Sequence, residues 1–137
     1  MENYFHLQLN HTDLTAVSAL GLAHVGDAVF ELLVRSYLCA HGKATSKNLH
    51  KATVSCVSAP AQAQRLERML PFLTPEELAH YRRGRNAHVH AVPKNATHEQ
   101  YSKATGLEAL FGALYLTGQT DRLNELFLLT MEENHAL

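Results

Sequence analysis

The stretch from Leu14 to Ala40 is the most apolar part of this 137-residue chain, yet it carries an acid, Asp27, near its middle. Leu22, Val25, Val29, Leu32, Leu33 and Ser36 recur there at spacings of three and four, the period of one helical face. Asp13 suits an N-cap and Gly42 a stop just past Ala40 and His41, so one long helix is expected from Asp13 to about Ala40. Charges at His24, Asp27, Glu31 and Arg35 would be costly in lipid, which argues against a membrane span.

The same period continues downstream. Ser46 to about Val57 reads as a second helix, and Ala59-Pro60 opens a third through Arg65, Leu66 and Met69, closed by Pro71. Thr74-Pro75-Glu76-Glu77 combines a Thr cap, Pro in the first turn, early acids and the spacing of a capping box; its helix is expected to end near Gly84 to Ala87. His88 to His98 has no helical period and contains Pro93, so a loop is expected. Helix resumes near Glu99 through Tyr101, Ala104, Leu107, Glu108, Phe111 and Tyr115. Gly118 breaks it, and Asp121 to about Glu133 forms a last amphipathic helix. No run alternates with strand period, so the expected fold is all-α, with about six or seven helices in one domain over residues 1–137.

Composition adds limits. A formal net charge of −1 does not announce a nucleic-acid binder, so any such surface must be local. Cys39 and Cys56 form no ligand motif and read as reduced thiols packing like small hydrophobes; with no basic-apolar leader in Met1-Glu2-Asn3-Tyr4, a cytoplasmic protein is expected.

Two carboxylates break the local rules. An ionised Asp27 among Leu22, Val25 and Val29 loses hydration unless paired or metal-bound. Asp is a poor helix-interior residue, and the preceding Gly26 costs roughly another 1 kcal/mol relative to Ala. Paired unfavourable choices suggest a site, and Gly26 would admit a close approach by another backbone or a substrate. Glu108 lies in a second apolar helix amid Ala104, Gly106, Ala109, Gly112 and Ala113. If the two helices pack, Asp27 and Glu108 converge on one hard cation. The alternative stays open: each carboxylate as a structural group on a polar stripe or paired with an arginine. Glu31, one turn after Asp27, reads as a partner for Arg35.

Leu20-Gly21-Leu22-Ala23-His24-Val25-Gly26-Asp27-Ala28-Val29-Phe30-Glu31-Leu32 resembles the signature helix of ribonuclease III, and Glu108-Ala109-Leu110-Phe111-Gly112-Ala113 resembles its second motif. The segments Leu49-His50-Lys51, Val57-Ser58-Ala59-Pro60-Ala61-Gln62-Ala63, Tyr81-Arg82-Arg83-Gly84-Arg85-Asn86-Ala87 and Val92-Pro93-Lys94-Asn95 are similar to the Mini-ribonuclease III subfamily, a lone catalytic domain without a double-stranded-RNA-binding domain. The resemblance implies a ribonuclease III-like helical bundle acting as a homodimer on double-stranded RNA, a duplex recognised mainly through phosphates and 2′-hydroxyls, so little base-reading chemistry is expected. It implies Mg²⁺-dependent hydrolysis leaving a 5′-phosphate and a 3′-hydroxyl, with Asp27 and Glu108 as catalytic metal ligands and precursor 23S ribosomal RNA as substrate. A non-catalytic RNA-binding or ribosome-assembly protein on the same fold is the alternative.

The chain departs from ribonuclease III at Leu20, Ala23 and Thr105, where the larger enzymes carry acids. That leaves the metal more dependent on water and phosphate oxygens. Thr105 reads mainly as a helix residue bonding its own backbone. No acid occurs between Glu77 and Glu99, whereas Arg82, Arg83, Arg85 and Lys94 do, with His80, His88, His90 and His98. This cationic segment suits phosphate backbones, and Arg82, Arg83, Arg85 and Lys94 are the expected RNA-binding residues. Lys43, Lys47 and Lys51 extend it or are simply a soluble surface. His88-x-His90 is too sparse for a metal pair.

Overall fold

The computed structural model describes residues 2–42, 46–87 and 94–131. Among them the chain forms seven α-helices and no strand: α1 His11–Thr15, α2 Ala19–His41, α3 Ser46–Val57, α4 Ala59–Met69, α5 Pro75–Arg85, α6 His98–Leu116 and α7 Thr120–Met131, with a 3₁₀ turn at Leu70–Phe72. The fold class is all-α, as expected.

The long first helix is two helices. Ser18 adopts an extended backbone and its side chain accepts from the Gly21 amide at 2.9 Å, capping α2 afresh, while Asn10 caps the short α1. A Ser that can bond the amide three residues on offers the backbone an alternative to continuing the helix. Elsewhere the boundaries fall close to expectation. Thr74 and Glu77 form a reciprocal capping box on α5, and Gly42 ends α2 in the left-handed conformation at φ 59°. The last helix begins at Thr120, and its expected end at Glu133 lies outside the described residues, as do His88, His90, Pro93 and Lys43.

The inward face of α2 also differs from the one the spacing suggested. Leu22, Ala23, Gly26, Phe30 and Val34 are buried, whereas Leu32 and Ser36 are exposed. The reason lies in α6, which is buried on nearly every side from Ala104 to Leu116 and forms the centre of the domain. A helix apolar all round is a core helix. Helices α2, α4, α5 and α7 pack against it, and Phe30 meets Phe111 and Phe127 edge to face at 5.5 and 6.1 Å.

The tightest contact is between the backbones of α2 and α6. A Cβ added to Gly26 would lie 1.6 Å from the Glu108 carbonyl oxygen, and one added to Gly112 would lie 2.0 Å from the Leu22 carbonyl oxygen. Only glycine on each helix permits this crossing. On its other side α6 meets α5 in the same manner, with Gly84 against Ala109 and Gly106 against Tyr81.

Polar ties secure the periphery. Arg122 of α7 grips the buried Glu77 carboxylate with Nε at 2.8 Å and Nη2 at 2.9 Å, and this arginine holds the Glu77 carboxyl below the usual carboxylate range. Arg65 and Arg68 of α4 both donate to the Thr130 carbonyl near the end of α7, at 2.7 and 3.0 Å.

Gly26→Ala is therefore expected to destabilise the protein by at least about 3 kcal/mol in urea denaturation, although Ala is the better helix former by about 1 kcal/mol. Unchanged or increased stability would contradict the close crossing.

Candidate active site

Asp27 follows Gly26 on α2, and Glu108 is the residue of α6 whose carbonyl Gly26 faces. The crossing thus delivers both side chains to one edge of the seam. Asp27 is exposed, contrary to the buried setting its apolar neighbours suggested. Each helical step turns about 100°, so with Gly26 at the seam, Asp27 emerges at its rim. Glu108 is half-buried, the one residue from Ala104 to Leu114 that is not fully buried.

The electrostatics follow from this placement. Burial is the largest influence on Glu108, followed by the negative charge of Asp27 and a hydrogen bond with it; together they push the Glu108 carboxyl up to about 8. Among the described residues neither acid forms a salt bridge. Two carboxylate groups close enough to share a proton, with no cation offsetting them, have the donor chemistry of a hard divalent ion's site. The fit is a lean one: among the described residues no group of three or more His, Cys, Asp or Glu could hold a metal. Two carboxylates suffice for an ion that keeps waters and takes phosphate oxygens.

The Gln62 amide nitrogen, on α4, donates to the Val57 carbonyl at 2.9 Å and to Glu108 Oε2 at 3.4 Å. Gln62 is 1% exposed, and its Oε1 has no hydrogen-bond partner among the described residues. An unpaired buried acceptor costs about 1–3 kcal/mol. The residue patterns that marked Asp27 and Glu108 did not mark Gln62. Its signal was a polar residue between Ala61 and Ala63 in the first turns of α4.

The expected RNA-binding residues fall at the end of α5 and in the turn before α6. Arg82, Arg83 and Arg85 occupy the last turn of α5 and are exposed, as is Lys94 in the turn before α6. Gly84, between two of these arginines, packs on Ala109, the neighbour of Glu108. Arg83 has a second task, donating Nη2 to the Val17 carbonyl at 2.6 Å, just before the Ser18 cap of α2. Arg85 lies over the Tyr81 ring, 5.8 Å from its centroid. Lys47 and Lys51 are exposed on α3. Glu31 pairs with Arg35 at 2.8 Å, and the Thr105 hydroxyl donates to the Tyr101 carbonyl at 2.9 Å.

Residues 20–119 match the Ribonuclease III domain family, a span that includes both carboxylates and the α2–α6 crossing. The Mini-ribonuclease 3 of Enterococcus faecalis is 45% identical over 116 residues, covering 83% of this chain and 88% of that protein. The chain belongs to the Mini-ribonuclease 3 group of the ribonuclease III family. Other members are similar to it over most of their length. That of Symbiobacterium thermophilum is 45% identical over 77% of this chain and 82% of its own, and that of Clostridium tetani 37% identical over 96% and 88%. A crystal structure of a Fusobacterium nucleatum protein matches with a TM-score of 0.80 at 27% identity, covering 89% of this chain and 98% of that one. As a Mini-ribonuclease 3 the chain is an endoribonuclease, in a family that acts on double-stranded RNA and uses a divalent metal. No described helix is long and apolar enough to cross a membrane.

The raised Glu108 pKa makes the site a liability for the metal-free fold. The native state holds this proton up to about pH 8, whereas the unfolded chain releases it near 4.5, so stability falls as pH rises through that window. In EDTA, Glu108→Gln should melt higher than the wild type at pH 9, by on the order of a few kcal/mol, and the gap should close towards pH 5. A pH-independent difference in thermal melts would refute the coupling.

Proposed function

We propose that this Mini-ribonuclease 3 is a Mg²⁺-dependent enzyme that cuts double-stranded RNA, with Asp27 and Glu108 as its catalytic, metal-holding pair. The convergence of these two carboxylates, with no offsetting cation among the described residues, carries the reading. A divalent cation bound there supplies Lewis-acid charge and a nucleophile at neutral pH for phosphodiester hydrolysis. Mg²⁺ suits a two-carboxylate site because it needs few protein ligands. The exposed Asp27 and the half-buried Glu108 are the residues that would hold the ion, at the edge of the α2–α6 seam. In the hydrolysis, water adds to phosphorus and the bond to the 3′-oxygen breaks, leaving a 5′-phosphate and a 3′-hydroxyl.

Arg82, Arg83, Arg85 and Lys94 engage the phosphates of the duplex. Their exposure on one helix end and the following turn supports this, as does the packing of that end beside Ala109. The chain acts as a single catalytic domain over residues 1–137, and precursor 23S ribosomal RNA is the substrate by subfamily resemblance. A cytoplasmic setting accords with its two free thiols, of which Cys56 is buried and Cys39 exposed rather than packed.

The enzyme works as a homodimer, its second copy covering the apolar side of α2. Leu32, 55% exposed, and Phe5, 70% exposed, border a groove with Val25, Val29 and Tyr115. Surface of this kind on a soluble protein marks an interaction site.

Asp27→Asn and Glu108→Gln should each lower cleavage of a double-stranded substrate by at least about a thousand-fold, or ~4 kcal/mol of transition-state stabilisation, while retaining RNA binding. Gels of products with and without Mg²⁺ test this. Near-normal cutting by Asp27→Asn sinks the assignment, and binding without products in the wild type favours a non-catalytic RNA-binding role. For the dimer, Leu32→Glu should sediment as a monomer where the wild type sediments as a dimer; a monomeric wild type would overturn the interface.

A further inference from the structure

We propose that Gln62 is a positioning residue for Glu108, holding its carboxylate in the orientation that receives the metal. This rests on the reading of Glu108 as a metal ligand. The segment from Val57 to Ala63 forms the joint between α3 and α4, and the joint is built to hold one side chain. Ser58 caps α4, accepting from the Ala61 amide, and Pro60 stands in the first turn. Gln62 follows and is all but fully buried. One bond of its amide nitrogen stays within the joint, to Val57 five residues earlier, while the other reaches Glu108, 46 residues away.

The orientation of this amide is determined by its neighbours. Both groups facing Nε2, the Val57 carbonyl and the Glu108 carboxylate, are acceptors. Exchanging the amide's oxygen and nitrogen would set acceptor against acceptor at the Val57 carbonyl, and again at Glu108 once its carboxyl is ionised to receive a metal. The nitrogen therefore stays toward Glu108, and Oε1 is left without a partner among the described residues. A residue serving only to fill this part of the core would be apolar and leave no orphan. A glutamine here supplies a donor to Glu108 from behind, directed at Oε2, and so restricts the carboxylate's rotation. Partners of metal-ligating groups act in this manner, and their loss typically weakens metal binding 10–100-fold.

The test titrates Mg²⁺ into metal-free protein and follows the rise of Tm, which reports affinity without reference to turnover. Gln62→Met keeps the volume and removes the donor; Gln62→Glu keeps the shape and opposes Glu108 with a second acceptor. Both are expected to bind Mg²⁺ about 10–100-fold more weakly than the wild type, with Gln62→Glu the weaker. Duplex RNA affinity in EDTA should be unchanged, and excess Mg²⁺ should restore cleavage in Gln62→Met. If Gln62→Met lowers Tm but binds Mg²⁺ within two-fold of the wild type, Gln62 only staples α3 to α4 and the proposal fails. Glu108→Gln serves as the control: wild-type Mg²⁺ affinity in that variant removes the ligand reading itself, and the proposal with it, whereas weakened affinity there with none in either Gln62 variant rejects Gln62 alone.

Discussion

The main chains of α2 and α6 touch where Gly26 faces the Glu108 carbonyl and Gly112 faces that of Leu22. Most of what makes the domain a candidate enzyme depends on this crossing. It lets α6 sink into the centre and take packing from α2, α4, α5 and α7. It also brings together an acid from residue 27 and one from residue 108, although 80 residues of chain separate them in sequence. A side chain at either glycine would separate the helices and the acids together. Core geometry and site geometry are here one quantity.

The arrangement is costly where it is useful. Glu108 loses hydration and faces Asp27, and Gln62 carries an acceptor that has no partner among the described residues. These penalties are tolerated because the flanking packing is strong: Phe30 with Phe111 and Phe127 on one side of the seam, and Leu14, Leu22 and Ala113 on the other. Natural proteins break local rules at functional sites and offset the cost elsewhere. Here much of the compensating packing comes from α2 and α6 themselves, through Leu22, Phe30, Phe111 and Ala113, with Leu14 of α1 and Phe127 of α7 completing it.

Much of this was legible from local pattern. The capping box of Thr74 and Glu77, the stop at Gly42, the Glu31–Arg35 pair and the backbone bond of Thr105 all involve residues a few positions apart. The glycine beside Asp27 announced a close approach, and the small residues around Glu108 announced its partner. What escaped was long-range or out of phase. Ser18 gave too local a signal against a strong apolar period, so two helices read as one. The apolar spacing of α2 points Leu32 inward in place of Phe30 and Val34, because an all-round apolar α6 has no phase with which to align it. Arg122 reaches Glu77 across 45 residues and Gln62 reaches Glu108 across 46, and no periodicity encodes either contact.

The crossing also makes the site a matter of address rather than of acidity. A carboxylate moved from position 27 to 28 would swing about 100° around α2 and leave the seam; one moved to 31 would keep roughly the same face but stand about 6 Å farther along the axis. Glu31 occupies that second address, and Arg35 already claims it. Of the two acids on α2, Asp27, beside the backbone contact, is the one whose charge and hydrogen bond act on Glu108. Redesign of such a site would therefore have to begin with the main chain, since no exchange of side chains along α2 could move the pair while Gly26 stays where it is.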